Sequence, residues 1–164
     1  MARVWVSIGS NQDRERCIRG AVDSLRERFG ALTVSPVYES EAVGFEGAAF
    51  LNLVVGFDTG EAVATLNRVL REIEDAFGRV RGPEKFSPRT LDLDLLTYGE
   101  AVGTLDGCEL PRDEILRYAF VLRPLADVAG DVRHPVEGRS YRALWGDFDD
   151  ASPPMRRVEM DLEV

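Results

Sequence analysis

Histidine and cysteine are nearly missing from this 164-residue chain, which has one of the former and two of the latter. Cys17 and Cys108 lie far apart, form no C-x-x-C pair and are too few for a disulfide framework, so a reducing cytoplasm is the simplest setting. Each reads as a small buried or half-buried apolar residue. No run approaches the roughly 18 apolar residues of a membrane span, and "MARVWVSIGSN" lacks a charged segment followed by an apolar one, so neither spanning nor export is expected. Basic residues are outnumbered, 20 Lys and Arg against 29 Asp and Glu, for a net charge of -9. That argues against broad nucleic-acid or membrane-surface binding, which needs a basic face. A G-x-x-x-x-G-K-[ST] loop is also lacking, which excludes a P-loop kinase and requires any phosphate cradle to be built from side chains. There are no repeats and no low-complexity segment.

What is present suffices for one domain, 1–164, at 45% apolar residues. "RVWVSIG" alternates Val4, Val6 and Ile8 against Trp5, Ser7 and Gly9, a first strand. Cys17, Ile18, Ala21, Val22, Leu25 and Phe29 recur at three and four, which predicts a helix over about 13–29, ended at Gly30 by a left-handed cap. "ALTVSPVYES" has strand formers around Pro36, which suits an edge or a bulge. Residues 41–49 read as a loop. "FLNLVVGF" places Leu51, Leu53, Val55 and Phe57 on one face and Phe50, Asn52 and Val54 on the other. A second helix opens at Gly60, carries Val63, Leu66, Leu70, Ile73 and Phe77 on one stripe and closes at Gly78, with Arg71 and Glu74 off the stripe. "LDLDL" alternates again, Leu91, Leu93 and Leu95 against Asp92 and Asp94.

The order β, α, β, β, α, β is that of the ferredoxin-like α+β sandwich, with both helices on one face of an antiparallel sheet. Phe50, Asn52, Asp92 and Asp94 are expected to share the other, open face. Beyond Gly99 a turn, a short helix, a second helix interrupted near Pro124 and a helical turn at "SYRALW" are expected. A C-terminal extension over 131–164 would end in an amphipathic strand of Val158, Met160, Leu162 and Val164 that protects a sheet edge.

The chemistry concentrates in "GRVRGPEKFSPRTLDLDLLTYG". Arg79, Arg81, Lys85 and Arg89 stand against the single acid Glu84, a local excess of three positive charges in an acidic protein. Two neighbouring carboxylates on one strand face repel each other unless a cation intervenes. Hard oxygen ligands in that arrangement suit Mg²⁺, which keeps several waters and is usually held by one or two carboxylates plus substrate phosphates. Arginine forks would grip those phosphates. Spacing alone also fits two solvated acids on an amphipathic strand; the basic cluster is what favours a Mg-nucleotide site. His134, in "RHP" outside any ligand cluster, reads as structural, and Trp145 as packing for a C-terminal helical turn.

The run "SPRTLDLDLLTYG" closely resembles the signature of the 6-hydroxymethyl-7,8-dihydropterin pyrophosphokinase family. "SIGSN", "VYESEAVG", "FLN", "IEDAFGRVR" and "AFVLRPLADVA" follow the same pattern in order, over about residues 1–130. The resemblance implies a ferredoxin-like fold and Mg-dependent transfer of pyrophosphate from ATP to the pterin hydroxymethyl group, with AMP as the other product, in folate biosynthesis. It implies two Mg²⁺ ions on Asp92 and Asp94, and Arg79 and Arg81 on a loop that closes over the transferring phosphates. ATP contacts would come from Glu74, Arg89, Leu95 and Arg112, and pterin contacts from Ser40, Val43, Phe50, Asn52, Phe86 and Phe120.

Departures from the family pattern fall at the substrate edges. Arg112 stands where His is usual, Tyr118 where Arg is common, Phe50 where Tyr is usual, Phe86 where Trp often stacks, and Ser40-Glu41 where Thr-Pro is usual. They keep two other readings open: a relative acting on a modified pterin, and a non-catalytic pterin or nucleotide sensor. Partners are expected to be small molecules alone, ATP and a reduced pterin, without nucleic acid or membrane. A monomer is the simplest state, a weak homodimer the alternative.

Overall fold

A computed structural model of the chain describes residues 1–40, 49–77, 91–148 and 155–162. The elements are β1 (Ala2–Ser10), α1 (Arg14–Phe29), β2 (Thr33–Val34), β3 (Val37–Ser40), β4 (Phe50–Thr59), α2 (Val63–Phe77) and β5 (Asp92–Tyr98). There follow β6 (Gly103–Leu105), β7 (Cys108–Leu110), α3 (Glu114–Arg117), α4 (Ala119–Ala129), α5 (Tyr141–Gly146) and β8 (Met155–Val158). The main sheet runs β5-β1-β4-β3-β8, with β2 also on β4, and every pairing is antiparallel. With β2 and β3 taken as one interrupted strand, β1 to β5 form the ferredoxin-like core.

Alternation sets the two faces. Val4, Val6, Ile8, Leu51, Leu53, Val55, Phe57, Leu91, Leu93 and Leu95 pack with the apolar stripes of α1 and α2. Each such side chain taken wholly from water contributes about 1.5–3 kcal/mol, so this layer dominates stability. Gly30 ends α1 with φ 85° and ψ −141°, a positive φ but not the left-handed helical cap that was expected. The predicted close of α2 at Gly78 and residues 41–48 of the loop predicted over 41–49 lie outside the described residues.

Pro36 interrupts the second ferredoxin strand as expected. Ser35 bridges the break, its N–H donating to Val54 O and its Oγ accepting from Val54 N. β3 is not the sheet edge, because β8 pairs with it from Val37–Val158 to Ser40–Met155. The predicted C-terminal strand thus does cover an edge, but its ladder stops at Val158. Residues 159–162 continue without strand pairing, and Arg19 and Arg26 of α1 donate to the carbonyls of Asp161 and Leu162 at 2.6 and 2.9 Å.

The second face is not open along its length, contrary to expectation. Ile115, Val121, Leu122, Leu125, Ala129 and Tyr141 from α3, α4 and α5 form a second buried layer over Trp5, Val54 and Leu96. Leu96 joins it by alternation, on the same side as Asp92 and Asp94, and the β1–β5 register then shifts between Trp5 and Val6, so that Thr97 pairs with Trp5 and Tyr98 with Val4 on the helix side. Helix α4 runs through Pro124 without a break, also contrary to expectation. The burial of its apolar face offsets the hydrogen bond that a proline nitrogen cannot make. Ser140 caps α5, its Oγ accepting from Ala143 N. The β6–β7 hairpin was not anticipated, although "LDGC" holds the Asp-Gly turn such hairpins favour, with Asp106 and Gly107 at φ 51° and 78°.

Candidate active site

The covering helices leave one end of the second face accessible, and there the sheet register assembles a pocket of about 370 Å³. Gly9 lies opposite Asp92 on β5 and Asn52 on β4, and Ser7 lies opposite Asp94 and Val54. Two small residues on the central strand therefore form a floor between a pair of carboxylates and an amide. Strands two apart are separated by about 10 Å, so the floor can seat a flat ring system. A Cβ at Gly9 would come within 2.7 Å of Asn52 Oδ1, so glycine makes the room.

Ser40 and Phe50 continue the floor beyond Asn52, and Glu114 of α3, Phe120 and Val121 of α4 and Tyr118 at the junction of the two helices form the wall. The Tyr118 and Phe120 rings stack with centroids 4.9 Å apart, one continuous aromatic surface. Asn52 is 8% exposed and donates from Nδ2 to Ser40 Oγ at 3.3 Å. A buried amide with one modest partner retains capacity for a polar ligand edge.

Asp92 and Asp94 sit on β5, an edge strand whose outer backbone groups would be unpaired. Side chains from α2 supply the partners. Glu74 Oε2 accepts from Leu93 N at 2.8 Å, and Arg71 Nη2 donates to Leu93 O at 2.6 Å, while Arg71 Nη1 and Glu74 Oε1 pair at 2.7 Å. The two residues off the helical stripe thus act as a surrogate strand for Leu93, the residue between the two aspartates. Glu74 is 1% exposed, and burial pushes its carboxyl above the ordinary glutamate range, against the opposing pull of Leu93 N–H and Arg71. Three residues further along, Arg112 N donates to Leu96 O at 2.9 Å.

Around Asp94 the field is balanced by cations. Arg112 Nη2 lies 3.4 Å and Arg71 Nη2 3.8 Å from Oδ1, and Arg112 Nε donates to Glu114 Oε2 at 3.1 Å. Among the described residues, no group of three or more His, Cys, Asp or Glu could hold a metal ion. The carboxylate pair still fits Mg²⁺, which takes few protein ligands and fills its shell with water and substrate oxygens.

Of the residues singled out in the sequence, Asp92, Asp94, Ser40, Asn52, Phe50 and Phe120 line this one pocket, with Arg112 at its edge. Glu74 lies under β5 with its carboxylate engaged, and the Leu95 side chain, 2% exposed, belongs to the helix-side core. Val43, Arg79, Arg81, Phe86 and Arg89 lie outside the described residues. Ser7, Gly9, Glu114 and Arg71 were not singled out as site residues, nor was Tyr118, noted only as a departure. For Ser7 and Gly9 the signal was available, because both fall on the Asp92 face of their strands.

Fold and pocket together define a ferredoxin-like protein with an acidic pair facing an aromatic, amide-bearing groove. The sequence model of the 7,8-dihydro-6-hydroxymethylpterin-pyrophosphokinase family matches residues 5–130, and the chain belongs to that family. It is thereby a pyrophosphokinase, a diphosphotransferase of the kind that serves folate biosynthesis. It is 40% identical over 147 residues to the 2-amino-4-hydroxy-6-hydroxymethyldihydropteridine pyrophosphokinase of Pseudomonas aeruginosa, covering 87% of this chain and 89% of that one. The proteins of that name from Methylorubrum extorquens and Bacillus subtilis are each 35% identical, over 97% and 78% of this chain and 100% and 78% of theirs. Among solved structures, a Plasmodium falciparum HPPK-DHPS triple mutant superposes with a TM-score of 0.71 at 12% identity, over 90% of this chain and 43% of that one. That likeness bears on the fold. Among the described residues no helix is long and apolar enough to cross a membrane.

Proposed function

We propose that this chain transfers pyrophosphate from ATP to 6-hydroxymethyl-7,8-dihydropterin, giving the pterin diphosphate and AMP. The observation that carries the reading is the row Asp92, Gly9, Asn52 across β5, β1 and β4. It sets a carboxylate pair and a directed amide on opposite sides of a floor one ring system wide. Asn52, Ser40 and Val43 would read the polar edge of the pterin, while Phe120, Phe50 and Phe86 would flank its faces.

Asp92 and Asp94 would hold Mg²⁺, two ions in the full complex. Bound there, the metal would neutralise phosphate charge and help align the attacking and leaving oxygens. The hydroxymethyl oxygen would form its bond to the β-phosphorus, with loss of the hydroxyl proton, as the bond from that phosphorus to the α–β bridging oxygen breaks. Arg79, Arg81 and Arg89 would bind the phosphates, and Arg112 would add charge at the nucleotide end. Glu74, and Leu95 with its buried side chain, would act on the nucleotide through the placement of β5. Residues 1–164 would work as one domain, in the cytoplasm, where Cys17 and Cys108, both free and buried, remain reduced.

Asp92→Asn and Asp94→Asn test the metal role, because each removes a charge from a partly exposed position without opening a cavity. Turnover should fall on the order of 10²–10³-fold while the melting temperature holds. Near-wild-type turnover by either variant would defeat the reading.

A further inference from the structure

Resting on the metal reading, a second feature concerns what stands in for the ion beforehand. Arg71 and Arg112 both approach Asp94 Oδ1, but they are committed differently. Arg71 is tied to Glu74 and to the Leu93 carbonyl, so it belongs to the β5 scaffold. Arg112 has its backbone fixed to Leu96 O, while among the described residues its side chain pairs with two carboxylates, Asp94 and Glu114. A long side chain anchored at its root can leave one of those carboxylates and keep the other.

A guanidinium that donates to Asp94 Oδ1, as that of Arg112 does and that of Arg71 at 3.8 Å does not, cannot share this oxygen with a divalent cation without strong like-charge repulsion. Arginine does not deprotonate in proteins, so it must move. We infer that Arg112 is an exchangeable counter-cation: it neutralises Asp94 in the metal-free protein and is retained by Glu114 when a metal ion takes its place. The site thus avoids an unpaired carboxylate pair when empty, at the expense of intrinsic ion affinity. Arg112 released from Asp94 stays at the pocket rim as a cation for an incoming phosphate, so ion binding readies the nucleotide end.

The test is Mn²⁺ binding to the full chain without nucleotide, read by electron paramagnetic resonance of the free ion. Arg112→Ala and Arg112→Gln should each bind Mn²⁺ about five- to thirty-fold more tightly than wild type. Glu114→Gln, which removes the alternative partner, should bind it about two- to five-fold more weakly. Arg117→Ala removes a nearby exposed cation paired with Asp113 and should leave affinity unchanged. Unchanged or weaker binding in both Arg112 variants, with binding abolished by Asp94→Asn, overturns the exchange and leaves the metal reading intact. An equal gain in Arg117→Ala would reduce the effect to net charge and also overturn the exchange. Binding unaffected by Asp94→Asn would remove the metal reading and the exchange with it.

Discussion

Replacing Glu74 by alanine removes the partner of a backbone group inside the site's scaffold. The carboxylate is buried and accepts from Leu93 N at 2.8 Å, so Glu74→Ala leaves that N–H without its acceptor, at about 1–3 kcal/mol. Its link to Arg71 contributes less, because Arg71 is 39% exposed and water screens the pair, so about 0–1 kcal/mol is added. The total of about 1–4 kcal/mol corresponds to a melting temperature lowered by roughly 2–16 °C in a domain of this size. Glu74→Gln retains an acceptor for Leu93 and should lose less than half as much. The stronger consequence is kinetic. Leu93 lies between Asp92 and Asp94, and a misplacement near 1 Å at a reacting centre can cost about 10²-fold. Steady-state assays well below the variant's melting temperature should therefore show kcat reduced about 10- to 100-fold in Glu74→Ala and only a few-fold in Glu74→Gln. Wild-type kcat in a destabilised Glu74→Ala protein would refute the idea that this carboxylate positions the aspartates.

Two other outcomes follow from the same geometry. Gly9→Ala should leave the melting temperature within a few degrees but raise KM for the pterin about tenfold, since the new methyl meets Asn52 Oδ1 at 2.7 Å; unaltered KM would show that the Gly9 floor does not seat the ring. His134 is 3% exposed, its Nδ1 accepts from Val136 N and Glu137 N, and burial holds its pKa below the ordinary value near 6.5. The unfolded chain then binds the extra proton more readily, so stability from this residue is present above about pH 6.5 and is lost as pH falls through the folded value. Thermal melts between about pH 5 and 8 should show that slope in wild type and lose it in His134→Gln, and an equal slope in both would contradict the assignment.

The ferredoxin core was legible because its strands are half-buried, so Leu51, Leu53 and Val55, or Leu91, Leu93 and Leu95, declare a face by alternation alone. The same alternation brought Asp92, Asp94, Asn52 and Phe50 to one side. It could not show that α3 to α5 cover most of that side, since helix placement depends on contacts between Trp5, Val54 or Leu96 and residues from 115 to 141. Tyr98 packs against the helix-side core only through a register shift, which has no periodic signature. Glu74 illustrates the complementary limit: off the apolar stripe it reads as surface or substrate-facing, whereas an edge strand's unpaired N–H draws it into the interior. Pro124 misled in the opposite sense, because burial of α4 outweighs the local cost of proline.

The central claim is the reaction itself, and its most direct test is the nucleotide product formed when the protein is incubated with ATP, Mg²⁺ and 6-hydroxymethyl-7,8-dihydropterin. Transfer from the β-phosphorus requires AMP in equal amount to the pterin diphosphate, with none formed when the pterin is omitted. ADP as the stoichiometric product would mean that a single phosphoryl group is transferred and would contradict the account.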